Sequence, residues 1–424
     1  MEEEMKIPKG YKQTEVGVIP NDWAVYDFGD LISSTQLGGN YPNSEINNGV
    51  PLIKMGNLGR GKIILNKLEF IPSETSPSNR DELQYGDVIF NTRNTLELVG
   101  KVAIWRNEMP KAYFNSNIMR FNFNSKKVKS NFYMNYVLNT RNSIMQLKDI
   151  ATGTTSVAAI YSKDLFKIKI PLPPTRTEQI AIATALSDMD SLIEGLEKLL
   201  VKKLNIKQGA MQELLKPKEG WVEKKLGEIG KCIRGVSYNG DIDLYEYDNV
   251  NSIRLMRSNN IHEATLNFDS LQYVNQNRVK PIQIMQDFDI LICMANGSKR
   301  LVGKTAQFFK NNNNRYTFGA FMGCFRVFSG EVKRSLVFYF LQTSTYRQFI
   351  EILLSGSSIN NLKPSDIESI KFHIPTDIIE QERILLILSN MDTEIAQLET
   401  QLSKYKMLKT GMMQELLTGK KRLI

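Results

Sequence analysis

Histidine pairs, cysteine clusters and glycine-rich loops are where chemistry would show first, and this sequence offers little of it. Its two histidines, His262 and His373, stand without cysteines or an acidic cluster at ligand spacing, which argues against a zinc site and a histidine-based triad. Gly56-Asn57-Leu58-Gly59-Arg60-Gly61-Lys62 matches the first seven positions of a phosphate-binding P-loop. Ile63 then stands where the magnesium-binding Ser or Thr is needed, and the following residues alternate like a strand instead of opening a helix. The stretch reads better as a hairpin turn with Arg60 and Lys62 available to phosphates. The Asn/Asp-Pro-Pro-Tyr/Phe signature of an amino-methyltransferase is absent, and the one Pro-Pro pair, Pro173-Pro174, ends a strand before a helix.

The residue types favour binding over catalysis. Arg reads guanine bidentately, Asn or Gln reads adenine, and Lys, Ser and Thr suit phosphates. Such side chains interleave at Asn57, Arg60 and Lys62, and at Asn91, Thr92, Arg93 and Asn94. In the second half they gather at Arg254, Arg257, Asn259 and Asn260, then at Asn296, Ser298, Lys299 and Arg300. These are the candidate DNA-contacting residues. Two small-residue loops, Thr152–Ser156 and Ser355–Ser358, either offer backbone N–H groups to phosphates or serve as turns. A net charge of +9 over 424 residues is compatible with a polyanionic partner.

The elements that must position these loops come in pairs. Glu178 and Glu380, Asp190 and Asp392, and Met211 and Met413 each stand 202 residues apart. Leu98-Val99-Gly100-Lys101 recurs as Leu301-Val302-Gly303-Lys304, and Gly86–Phe90 answers Phe288–Ile292 as a strand. Helices are expected over Asn131–Leu147 and Ser335–Leu354, and short strands at Ile168–Ile170 and Ile370–Phe372. Each half then ends in a long helix with an apolar stripe. Leu186, Met189, Ile193, Leu196 and Leu200 form the first, and Leu388, Met391, Ile395, Leu398, Leu402 and Tyr405 the second. Steps of three and four residues are the coiled-coil pattern, which needs a partner helix to bury its seam. Lys203 and Lys207 interrupt the first stripe.

The expected fold is α+β: two similar globular domains joined by two long helices pairing as an antiparallel coiled coil, with an internal pseudo-two-fold repeat. The expected divisions are a lead-in at 1–22, a domain at 23–175, a helical spacer at 176–216, a second domain at 217–375 and a second spacer at 376–424. The stretches Leu31–Val50 and Gly235–Asn251 share almost nothing, which suggests two related sites reading different things, though surface loops also drift. An apolar share of 42% is ordinary for a globular protein, and no run of about 18 apolar residues marks a membrane span. Three scattered cysteines and the acidic start Met1-Glu2-Glu3-Glu4 suit a cytoplasmic protein.

Ile170-Pro171-Leu172-Pro173-Pro174 through Glu178-Gln179-Ile180, the Asp188-Met189-Asp190 step, the Met211–Leu215 ending and the duplicated layout resemble the specificity subunit of type I restriction–modification enzymes. His373-Ile374-Pro375-Thr376 keeps only one proline of the second copy's motif, while Glu380-Gln381 stays in place. The resemblance implies two target recognition domains, each reading half of a split double-stranded DNA sequence, and no cofactor in this chain. It also implies modification subunits, two in number, carrying S-adenosylmethionine chemistry at the exocyclic amine of adenine, and restriction subunits carrying ATP- and magnesium-dependent translocation and cleavage. A coiled-coil scaffold, or a stand-alone DNA-modifying enzyme with an unfamiliar site, are the alternative readings.

Overall fold

A computed structural model describes residues 7–355 and 360–423. The start Met1–Glu4 and most of the Ser355–Ser358 loop lie outside the described residues. The chain divides into two compact units, Met1–Glu197 with Thr400–Ile424, and Lys198–Glu399. Each unit thus takes one globular domain, the first half of the helix that follows it and the second half of the other helix.

Within the first unit a four-stranded antiparallel sheet runs in the order Ile32–Leu37, Ile118–Phe123, Val88–Asn91, Val102–Ile104. The second unit repeats it as Gly230–Arg234, Met322–Val327, Ile290–Cys293, Thr305–Gln307. Alternate side chains of a strand point to opposite faces, and here both faces are covered. Val88 and Phe90 enter the core that holds Trp23 and Tyr133, while Ile89 enters the one that holds Trp105 and Phe114. Ile290 and Ile292 likewise part from Leu291 and Cys293. A strand pair closes each domain: Ala24–Asp27 with Lys169–Leu172, and Trp221–Lys225 with Lys371–Pro375.

Each helix expected over Asn131–Leu147 and Ser335–Leu354 is in fact two. They are Asn131–Leu138 and Arg141–Asp149 in the first unit, and Arg334–Phe340 and Ser344–Ser355 in the second. A threonine breaks both. The Thr140 hydroxyl donates to the Val137 carbonyl and accepts from the Ser143 amide, and Thr343 does the same with Phe340 and Tyr346. The side chain ends one helix and caps the next. The loop at Thr152–Ser156 also contains a strand, Thr152–Gly153, paired with Ala158–Ala159.

The long helices span Arg176–Leu214 and Ile378–Leu416. In the first unit Leu186 shares a buried cluster with Leu416 and Leu417, and Met412 packs against it. In the second, Leu388 shares one with Met211, and Leu214 and Met391 pack against it. Leu186 and Leu388 are fully buried, and Ile193 and Ile395 nearly so. Met189, Leu196, Leu200, Leu398, Leu402 and Tyr405 are half-buried. Lys203 and Lys207, expected to interrupt the stripe, instead pair across to Glu394 (2.6 Å) and Asp392. In the first unit Lys406 pairs with Glu197 (2.6 Å) and Lys409 with Asp190 (2.5 Å). Partner numbers fall on one helix as they rise on the other, so the pairing is antiparallel in both units.

Candidate nucleic-acid interface

Several candidate residues turn out to hold the loops rather than face outward. Asn57 is buried; its Oδ1 accepts from the Lys54 amide, and its Nδ2 donates to the carbonyls of Ile64 and Asn66. Asn260 is buried in the same way, between the Arg257 amide and the Asn267 and Asp269 carbonyls. One side chain in each unit closes a turn whose backbone groups would otherwise go unpaired. Asn91, also buried, closes its loop by donating to the Leu98 carbonyl and accepting from the Lys101 amide. The Thr92 hydroxyl donates to the Asn117 carbonyl, and Arg254 is engaged by Asp248 at 2.5 Å. Asn57, Asn260 and Asn91 are corrections to the sequence-based reading of a free contact surface, since a buried amide already satisfied by two or three backbone groups has nothing left to read a base, whereas Thr92 and Arg254 are engaged but half-buried.

The remaining candidates stay available. Lys62, Arg93, Asn259, Ser298, Lys299 and Arg300 are exposed. Arg60 is half-buried on the turn closed by the Gly59 amide and the Lys62 carbonyl, its Nη1 lacks a hydrogen-bond partner, and burial lowers its pKa. That turn contains no helix start. It sits against Val102–Ala103 and Asn135, so the P-loop match is a hairpin tip. Gly61 there has φ +82°, the conformation that favours glycine.

In the second unit two candidate loops meet: Asn296 Nδ2 donates to Ser258 Oγ at 3.4 Å, beside Arg257 and Asn259. Lys299 and Arg300 lie on a short helical turn, Lys299–Leu301. The Arg347 guanidinium donates to the carbonyls of Lys299, Arg300 and Val302, fixing that turn. In the first unit Arg93–Asn94 pairs with Ala158–Ala159, so the polar loop and the small-residue loop form one small sheet.

Beneath the loops, the residues that made the repeat visible form one duplicated scaffold. Trp23 donates its indole N–H to Glu178, and Trp221 donates its own to Glu380. Gln179 accepts from the Lys129 amide and donates to the Lys127 and Pro173 carbonyls; Gln381 does so with Lys333, Glu331 and Pro375. The Glu-Gln doublet is therefore the joint between each domain and its helix. Asp87 ties Arg120 to the Gln84 amide, as Asp289 ties Arg326 to that of Gln286. Tyr136 and Tyr339 donate to Asp190 and Asp392, the carboxylates that also take Lys409 and Lys207, and burial raises both phenols above their ordinary range. Sequence reasoning flagged the doublets and missed their partners, because Trp23 and Trp221 are distant in the chain from Glu178 and Glu380.

Among the described residues no group of three His, Cys, Asp or Glu is placed to hold a metal ion, and no helix is long and apolar enough to cross a membrane. The family profile described as the type I restriction modification DNA specificity domain matches residues 20–204 and again 218–404. A putative type I restriction enzyme specificity subunit, MjaX of Methanocaldococcus jannaschii, is 25% identical, covering 98% of this chain and 97% of its own. The EcoKI specificity subunit of Escherichia coli is 33% identical, over 44% of this chain and 39% of its own. The crystal structure of a type I restriction–modification S subunit from M. genitalium has the same fold, at TM-score 0.62 and 14% identity, covering 97% of this chain and 98% of the other. The two matched segments take in most of the chain, which belongs to the type I restriction–modification DNA specificity family as a non-catalytic specificity subunit with two recognition domains.

Proposed function

We propose that this subunit reads a split target in double-stranded DNA, residues 23–175 reading one half and residues 217–375 the other, and that the long helices, 176–216 and 376–424, carry the modification subunits. The observation that supports this is the contrast within the repeat. The Asn57/Asn260, Asp87/Asp289, Gln179/Gln381 and Tyr136/Tyr339 hydrogen-bond sets recur partner for partner, while the stretches Leu31–Val50 and Gly235–Asn251, matched in backbone bonding only where they leave the sheet at Gly38 and Gly235, share almost nothing in sequence. A scaffold kept twice under loops that differ suits two readers with different texts. Arg93, Lys299 and Arg300 serve as contacts to DNA, with Lys62 and Arg60 meeting phosphates.

Modification subunits would supply S-adenosylmethionine chemistry at adenine, two of them matching the two units, and restriction subunits the ATP-driven step, all in the cytoplasm. Exposed apolar side chains on the helices, Ile180, Met407 and Leu408 in the first unit and Leu199, Val201, Leu204, Ile206, Leu386 and Ile387 in the second, offer them docking surfaces. The test is to replace residues 23–170 with the equivalent segment of a relative and map methylated adenines across a genome. One half of the methylated motif changes and the other stays. Both halves changing, or neither, would remove the model of two independent readers.

A further inference from the structure

Phe321 is 71% exposed at the tip of the tight turn between strands Tyr316–Phe318 and Met322–Val327. A single exposed aromatic is common on protein surfaces, but this one rises from a hydrogen-bonded turn and is not alone. The Met322 amide donates to the Gly319 carbonyl at 2.8 Å, closing the turn. The Phe321 carbonyl accepts from the amides of Met294 (2.9 Å) and Ala295 (3.1 Å), so the backbone that carries the ring is fixed beside the Asn296–Ser258 loop pair.

Two cations lie beside its neighbours in the turn, Gly319 and Ala320. Arg257 is half-buried near Gly319, with its Nε buried and without a hydrogen-bond partner. Exposed Arg234 lines a small cleft with Ala320, Met294 and Asn361, and none of the residues lining that cleft is acidic. The first unit treats the matching places differently. Lys54, the counterpart of Arg257 at the head of the asparagine-closed turn, is neutralised by Glu69 at 2.8 Å. Asn117, whose carbonyl accepts from the Thr92 amide as that of Phe321 accepts from Met294, stands at the tip. The aromatic and its free guanidinium belong to the second unit only.

We propose that Phe321 is a specificity-determining residue for the half-site read by the second unit, packing its ring on the 5-methyl group of a thymine in the major groove while Arg257 and Arg234 hold the flanking phosphates. This rests on the reading of residues 217–375 as a DNA-reading domain. A phenyl ring cannot use the hydrogen-bond code of the base edges. The apolar features of a duplex are the thymine methyl and the base faces, and the faces are reached only by unstacking a step. The methyl is the cheaper contact. The two arginines supply the positioning contacts that carry no sequence information.

The test uses the full-length chain with its modification subunits. Methylated motifs are mapped with wild type, Phe321→Ala and Arg257→Ala, and binding is then measured on duplexes of the wild-type motif in which each thymine is replaced by deoxyuridine. Phe321→Ala relaxes one position of one half-motif by about tenfold in discrimination, leaves the other half strict and melts at the wild-type temperature. One deoxyuridine costs wild type the same factor and costs Phe321→Ala nothing. Arg257→Ala weakens binding to all sequences alike and reduces the salt dependence by about one phosphate contact. A split wild-type motif that Phe321→Ala leaves strict in both halves, or a variant equally sensitive to deoxyuridine, overturns the proposal while the reading of the domains stands. A wild-type motif that is not split overturns that reading instead.

Discussion

Glu178 and Glu380 start equivalent helices and accept equivalent indole N–H groups, yet their surroundings differ. Glu178 is fully buried, with both oxygens taken by the Arg422 guanidinium, which also grips Asp22 through two bonds of 2.9 Å. The Glu380 side chain is 33% exposed and has a single Lys218 amine at 3.4 Å. A planar fork satisfies two carboxylates at once and lets one of them leave water, whereas a point charge on a flexible stem leaves its partner half-solvated. The last turn of the chain thus locks the first unit more firmly than the segment after the first helix locks the second. The seam and the Tyr–Asp–Lys crossings are matched in both units.

The largest effect should come from the matched part. Leu186→Lys or Leu388→Lys puts an unpaired ammonium into a fully buried seam, at a cost on the order of 5 kcal/mol, equal in the two units. Leu196→Lys and Leu398→Lys sit at half-buried positions from which the ammonium reaches water, so the cost falls to about 1–2 kcal/mol. Calorimetric unfolding reads both, and unequal losses at Leu186 and Leu388 would break the equivalence of the seams.

Next comes the unmatched part. Arg422→Ala strands a buried carboxylate and costs roughly 3 kcal/mol, while Lys218→Ala costs at most about 1 kcal/mol. Asp22 adds a pH signature, because its hydrogen bond with Arg422 holds its pKa below the ordinary 3.8. A carboxylate with a depressed folded pKa stabilises above its unfolded pKa and loses that contribution as pH falls through the folded value. The Asp22 share of the gap between wild type and Arg422→Ala is therefore present at neutral pH and disappears in acid below about pH 4. A gap that widens in acid would contradict this assignment. Smaller again, Asp190→Asn and Asp392→Asn each lose a charge-assisted bond to a tyrosine and an ion pair, about 2 kcal/mol apiece by chemical denaturation.

Periodicity made the long helices, the repeat and the domain order legible, since 3.6-residue stripes and a fixed offset are local or self-similar signals. Thr140 and Thr343 were legible in principle as caps inside apparent single helices, but apolar residues on both sides masked the breaks. The candidate loops were less legible. Asn57 and Asn260 carry the side chain of a base reader and the environment of a turn former, and only burial separates the two. Phe321 escaped attention because an aromatic between two strands reads as core until its exposure is known. Lys207 was misread as a defect because its partner, Asp392, lies on the other helix.

That last correction sharpens the comparison most finely. A fragment of residues 1–215 keeps one domain and one long helix whose seam lacks the second helix, and a second copy should supply it as a symmetric dimer. Lys207 meets Asp392 in one unit and Lys409 meets Asp190 in the other, 202 residues apart at both ends, so in the fragment each Lys207 would meet Asp190 of the other copy. The remaining pairs do not transfer. Lys203 takes Glu394, whose counterpart in the first helix is Leu192, and Glu197 takes Lys406, whose counterpart is Leu204. The dimer should therefore form with an inverted-repeat target, but more weakly than the intact chain pairs its own helices. Leu192→Glu with Leu204→Lys restores both missing pairs on each side of the axis. At about 0.5 kcal/mol for each exposed pair, sedimentation should show dimerisation tightened by one to two orders of magnitude, while methylation mapping with the unsubstituted fragment returns a palindromic split motif. No tightening would mean that the helices meet in a different register in the fragment. A fragment that stays monomeric even with the double substitution would mean that the two seams are not interchangeable.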